Sequence, residues 1–158
     1  MKNHVLLIHG GAGTISPKSL TPEKEKLYQN ALKSALQAGN DILKKGGESL
    51  DAVEAAVISL ENCPLFNAGK GSVFDANGKH EMEATIMCGK SRNAGAVSAV
   101  NHVKNPVALS RKIMDDSKYV YLNGKGAMKF ARENRLLLVD DDYFFTQERY
   151  EQWQKDKE

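Results

Sequence analysis

The chain is poor in the residues that mark several large protein classes. Its 158 residues include two cysteines, four histidines, four prolines and one tryptophan. Cys63 and Cys88 form no CxxC motif and no paired zinc spacing, and His4, His9, His80 and His102 contain no i,i+4 pair. A zinc enzyme is therefore disfavoured, and free thiols in a reduced compartment are expected. Wholly apolar runs such as Val5–Ile8 and Leu136–Val139 are only a few residues long, against the ~20 needed to span a bilayer, so no membrane partner is expected. The start, Met1-Lys2-Asn3-His4, leads straight into a strand-like segment without a charged leader, long apolar stretch and cleavage site. A cytoplasmic protein is the expectation. The 22 basic and 20 acidic residues give a formal net charge of +2, and no basic run carries interleaved aromatics, so nucleic acid is not an expected partner.

Familiar catalytic signatures are missing as well. No GxSxG elbow occurs, so the His-Gly-Gly run is not the oxyanion loop of an α/β-hydrolase with its serine in this chain. Cys88-Gly89-Lys90-Ser91 ends like a phosphate loop, but Ala84 stands where the earlier glycine belongs. Gly124-Lys125-Gly126 is followed by Lys129 at the third dinucleotide-binding glycine position.

What is present is an ordinary globular composition, 41% hydrophobic and 27% charged. The length suits one domain over 1–158, small for a complete enzyme with two substrate subsites. Val5–Ile8 reads as a buried strand entering a glycine loop. Thr21-Pro22-Glu23 has the chemistry of a helix start, and Gly46-Gly47 of its stop. Ser49 can cap a second helix that ends at Pro64. Ser72–Asp75, the turn Ala76–Lys79, and His80–Met87 read as a hairpin, because Asn77-Gly78 tolerates positive φ at both central positions. Gly95–Val103 is a further strand, Asn105-Pro106 opens a helix through Met114, Tyr119–Leu122 is a short strand and Gly126–Glu133 a short helix. The tail from about 146 to 158 is polar and helical, anchored by Tyr150 and Trp153. The class is α/β of the α+β kind, with four or five strands in a largely antiparallel sheet. Such a sheet is incomplete unless a second chain completes it, although a small complete α+β domain accounts for the pattern too.

Three segments offer chemistry. His9-Gly10-Gly11-Ala12-Gly13 lets a backbone turn sharply beside a neighbour or ligand, and a plain strand-to-loop turn needs the same glycines. The segment from Leu60 to Ser72 stops a helix at Pro64 and coils through small residues, exposing carbonyls for water, backbone or a hard monovalent cation. Asn67 within it is a candidate to orient a reacting group, and equally a side chain that caps its own turn. Glu81 and Glu83, two apart on the hairpin, share one face; nothing else marks them as an acid/base pair, and a solvated strand face explains them.

In combination these segments resemble one family. His9-Gly10-Gly11-Ala12-Gly13, Glu61-Asn62-Cys63-Pro64-Leu65-Phe66-Asn67-Ala68-Gly69 with Gly71-Ser72-Val73-Phe74, Glu81-Met82-Glu83-Ala84, Ala94–Val100 and Asn105-Pro106 occur in the order found in plant-type asparaginases and isoaspartyl peptidases. The resemblance extends to about Tyr150. It implies an N-terminal nucleophile hydrolase with a four-layer αββα sandwich, made as a precursor that cuts itself before a threonine. Thr14, Thr21, Thr85 and Thr146 lack the setting of that threonine, so the chain resembles the family's α chain, half of the sandwich, with the nucleophile expected on a β chain in an (αβ)₂ heterotetramer.

The resemblance also implies particular roles. The main-chain oxygens of Leu60, Glu61, Cys63, Phe66, Ala68 and Lys70 match a loop that holds a sodium or potassium ion. Asn67 matches the residue beside the nucleophile, and Gly10, Gly11 and Gly13 a loop linked to self-cleavage. No other cofactor is implied. Lys70 departs from an uncharged family position, and Glu83 and Cys88 replace two aspartates. The expected activity is hydrolysis of β-aspartyl dipeptides and L-asparagine. A glycosylasparaginase-type hydrolase matches the HGGAG start less well. The alternative of another kind is a non-catalytic binding module built on the glycine loop.

Overall fold

The computed structural model describes residues 4–11 and 20–157. Local chemistry sets the first helix, α1 (Pro22–Lys44): Thr21 Oγ1 accepts from the Lys24 amide at 3.2 Å, Pro22 is pre-set for the first turn, and Glu23 and Glu25 complement the N-terminal dipole. Gly46, at φ +83°, turns the chain out of it, and the Gly47 amide closes back on the Ile42 carbonyl. The second helix, α2 (Ser49–Glu61), packs along α1 through Ala52 and Ala56. Ser49 is its first residue rather than its cap; the cap is Glu48, whose side chain makes no capping bond.

After the loop 62–81 come β1 (Met82–Met87), β2 (Ala94–Val100), α3 (Pro106–Asp116), β3 (Tyr121–Asn123), α4 (Gly124–Glu133) and α5 (Gln147–Lys155). The sheet order is β1-β2-β3. β1 and β2 are antiparallel, with Met87 opposite Ala94 and a register slip between Met82 and Ala84. β3 returns parallel to β2 after the α3 crossover. The core lies between these strands and helices α3 and α4: Met82, Val97, Val100, Val103, Leu109, Ile113, Ala127, Met128, Ala131 and Phe144 are all buried. Ser110 Oγ bridges helix to sheet by donating to the Ala84 carbonyl at 3.0 Å. No helix among the described residues is long and apolar enough to cross a membrane, and Cys63 and Cys88 are free thiols.

Two expectations require correction. The Asn77-Gly78 turn forms, but residues 72–75 pair with no strand among the described residues. Asp75 Oδ1 accepts from the amides of Asn77 and Lys79, each at 2.8 Å, and the Asp75 amide donates to the Lys79 carbonyl at 2.7 Å, so Asp75 closes the turn on itself without a ladder beyond it. Phe74 then leaves sideways to an aromatic group with Phe145, Tyr150 and Trp153, and β1 takes β2 as its partner. The sheet is consequently three-stranded and mixed. Second, Val5–Ile8 is not a buried strand among the described residues. Leu6 and Ile8 are half-buried, whereas Val5 and Leu7 are each 85% exposed and have no ladder partner among the described residues. Alternating burial without a neighbour is the pattern of an uncovered sheet strand.

Candidate functional site

Pro64 stops α2, and the chain from Asn62 to Ser72 folds back under the helix end. Two glycines permit this. Gly69 has φ +51°, and a methyl group there would lie 2.2 Å from the Glu61 carbonyl oxygen. At Gly71 a methyl would lie 2.2 Å from the Phe66 oxygen and 2.5 Å from that of Pro64. Backbone carbonyls therefore converge where side chains are absent. The Leu60 oxygen accepts from the Cys63 amide and the Ala68 oxygen from the Gly71 amide. Those of Glu61, Cys63, Phe66 and Lys70 receive no hydrogen bond among the described residues. Unpaired backbone carbonyls are uncommon away from water, and such a set suits a hard monovalent cation.

The expected site residues thus gather largely in one place. Asn67 sits on the loop, exposed, and its Oδ1 accepts from the Val73 amide at 3.0 Å, so in this state it caps its own loop. Lys70 directs its ammonium to the face of Tyr143, 5.5 Å from the ring centroid, and Lys104 approaches the same ring at 5.5 Å. Gly10 packs between α1 and the loop: a methyl there would meet Phe66 Cε1 at 2.9 Å and Leu32 Cδ2 at 3.0 Å. Gly11 has φ +109°, and its amide donates to Nδ1 of the exposed His9 at 3.2 Å. His9 is therefore a turn cap. Gly13 and Thr14 lie outside the described residues. Glu81 and Glu83 are exposed.

Sequence reasoning missed two side chains. Glu61, 3% exposed, accepts the Val107 amide on Oε1 at 2.9 Å, capping the first turn of α3, while Oε2 has no partner among the described residues. Burial pushes its carboxyl up to about 7, partly offset by the bond from the Val107 amide. Arg149 of α5 donates from Nε to the Gly71 carbonyl at 2.9 Å. Both contacts join residues far apart in sequence, so no local pattern signals them. Ser72 Oγ and His80 Nδ1 also meet at 3.1 Å, but both residues are buried, with His80 between Phe74 and Phe144, which closes them to a substrate. A separate cavity of about 700 Å³ between Lys44, Ser49, Cys88 and Lys90 touches no residue of the loop.

The family model described as Asparaginase (Asparaginase_2) matches residues 2–158. A Dictyostelium discoideum relative is 48% identical over 151 residues, 96% of this chain and 44% of its own length. The Isoaspartyl peptidase of Salmonella typhimurium is 43% identical over 96% of this chain and 49% of its own. The Plant-type L-asparaginase of Thermococcus kodakarensis is 45% identical over 95% and 46%. The chain spans about half the length of the curated relatives it matches. With the carbonyl loop, Asn67 and the glycine turn in one neighbourhood, and with a match along nearly the whole sequence, this chain belongs to the asparaginase family that includes isoaspartyl peptidases and plant-type L-asparaginases.

Proposed function

We propose that the protein hydrolyses β-aspartyl dipeptides and L-asparagine to L-aspartate, and that this chain is its non-nucleophilic α subunit. The observation that carries the reading is the match to isoaspartyl peptidases and asparaginases over almost all of this chain but only about half of theirs. The uncovered Val5–Ile8 segment and the three-stranded sheet support it, since a second half supplies the strands a four-layer αββα sandwich needs. In this reading the nucleophile is an N-terminal threonine on a β chain cut from the same precursor, in an (αβ)₂ assembly in the cytoplasm.

The threonine hydroxyl attacks the side-chain amide carbonyl of the substrate while its own α-amine takes the proton. The amine or ammonia leaves with a proton, and water releases aspartate from the ester. Asn67 lies beside the reacting hydroxyl, on a loop whose end is fixed by the bond to Val73. The main-chain oxygens of Leu60, Glu61, Cys63, Phe66, Ala68 and Lys70 would hold a sodium or potassium ion, and four unbonded carbonyls among them fit that demand. Such an ion offsets the mutual repulsion of converging carbonyl dipoles and so stiffens the loop. Gly10 sets a wall against Phe66, and in this reading Gly10, Gly11 and Gly13 serve self-cleavage of the precursor.

The test is aspartate release by the full-length protein from a β-aspartyl dipeptide and from L-asparagine. Turnover of either, abolished when the threonine that starts the second chain is replaced by alanine, supports the reading. Absence of turnover with both substrates contradicts it.

A further inference from the structure

Helix α5 contains no buried residue and has a strongly polar composition, and nine residues are too few for a helix to persist alone in water. Its order comes from attachments. Glu148 accepts from Lys24 Nζ of α1 at 2.8 Å. Arg149 Nε donates to the Gly71 carbonyl at 2.9 Å, a charge-assisted bond. Tyr150 and Trp153 pack on Phe74, with centroids 6.3 and 5.4 Å apart. The Trp153 ring also covers Gly78, where a methyl group would come within 2.8 Å of two ring carbons. All but the first of these fall on residues 71–78, the segment through which the chain leaves the carbonyl loop. The Val73 amide, two residues beyond Gly71, is the donor that holds Asn67 Oδ1.

We infer that α5 is a clasp on the Asn67 loop, and that Arg149 is a positioning residue which fixes Asn67 through Gly71 and Val73. With Gly71 anchored, the Val73 amide keeps one position and Asn67 one rotamer. When Arg149 releases, the Gly71 carbonyl loses its charge-assisted anchor, and the segment 71–74 keeps the amide bonds of Gly71 and Ser72 to Ala68 and Gly69, the Ser72–His80 contact and the aromatic packing of Phe74. The clasp rests on the contacts alone; its effect on turnover rests on the proposed hydrolysis.

The experiment compares full-length wild-type protein with Arg149→Met, Arg149→Lys, Trp153→Ala and the Arg149→Met/Trp153→Ala double variant. Amide hydrogen exchange is followed at Val73 and across β2, with kcat and KM for a β-aspartyl dipeptide. Losing a charge-assisted bond is expected to speed Val73 exchange about tenfold in Arg149→Met while β2 exchange stays unchanged. The same variant lowers kcat about tenfold and moves KM less than about twofold, because Asn67 sits at the reacting group and not at the substrate's charged ends. Arg149→Lys, which keeps a cationic donor, recovers part of both. The double variant is no worse than the worse single one, since both release one clasp. Val73 exchange within about twofold of wild type in Arg149→Met overturns the clasp, and so does an equal rise across β2, which marks general loosening. If wild type hydrolyses neither L-asparagine nor the dipeptide while Val73 responds, the functional reading fails and the clasp stands. If wild type hydrolyses either while Val73 does not respond, the reverse holds.

Discussion

Replacing Gly69 by alanine tests the carbonyl loop at its tightest point. The residue has φ +51° and would place a methyl group 2.2 Å from the Glu61 oxygen and 2.8 Å from its carbonyl carbon. Both atoms are backbone at the end of α2, so no rotamer change relieves the contact. Reaching ordinary van der Waals separation, which begins at 3.4 Å, requires the loop and helix end to part by about 1.2 Å. Left-handed backbone costs alanine ~1 kcal/mol and overpacking adds ~1–3 kcal/mol, so the expected loss is about 2–4 kcal/mol. Gly46→Ala is the control: Gly46 also has positive φ, +83°, but no atom lies within 4 Å of the added methyl, so only the ~1 kcal/mol backbone term applies. Urea midpoints of the full-length protein at unchanged m-value measure both. Equal losses for Gly69→Ala and Gly46→Ala would refute the convergence of carbonyls on which the site is built.

Three further outcomes follow from individual side chains. Glu61→Ala leaves the buried Val107 amide unpaired and should cost about 2–3 kcal/mol, whereas Glu61→Gln keeps the acceptor and should cost under ~1 kcal/mol; equal losses on chemical unfolding would remove Glu61 as the cap of α3. Burial lowers the His80 pKa below its usual 6.5, opposed by the nearby backbone of Val73 and Ser72. Its neutral form therefore contributes stability that is complete above about pH 6.5 and is lost as pH falls through the lower folded value. The fall in melting temperature from pH 7.5 to 5 should be steeper in wild type than in His80→Gln, and parallel profiles would contradict this. Arg111 joins α3 to α2 through Asp51 at 3.0 Å and Glu54 at 3.3 Å; a double-mutant cycle of Arg111→Met with Glu54→Gln should return a coupling of about 0.5–1 kcal/mol, and zero coupling would make the pair incidental.

The sequence disclosed most where structure is local. Thr21-Pro22, Gly46-Gly47, Asn105-Pro106 and Thr146 set helix ends through their own backbone and side-chain chemistry, and the helices begin or end beside them. It disclosed least where two distant segments choose each other. Asn77-Gly78 marks its turn, yet the partner of β1 is β2, because Asp75 closes the turn itself and Phe74 is drawn to Trp153 and Tyr150. The loop carrying Asn67 was legible from its glycines and proline, and Gly10 does lie against Phe66. The supports of that loop were not: Glu61 reaches Val107 and Arg149 reaches Gly71 across 46 and 78 residues, distances over which no periodicity carries information. Val5–Ile8 alternates as a strand should, and its exposed Val5 and Leu7 await a neighbour that these residues do not supply.

The most direct test of the account is the intact mass of the native full-length protein under denaturing conditions. The account predicts two chains, one accounting for this sequence and a second of similar size that begins with threonine, recovered together before denaturation. A single uncut chain with no second component, in a preparation that hydrolyses β-aspartyl dipeptides, would contradict the division of the site between two subunits.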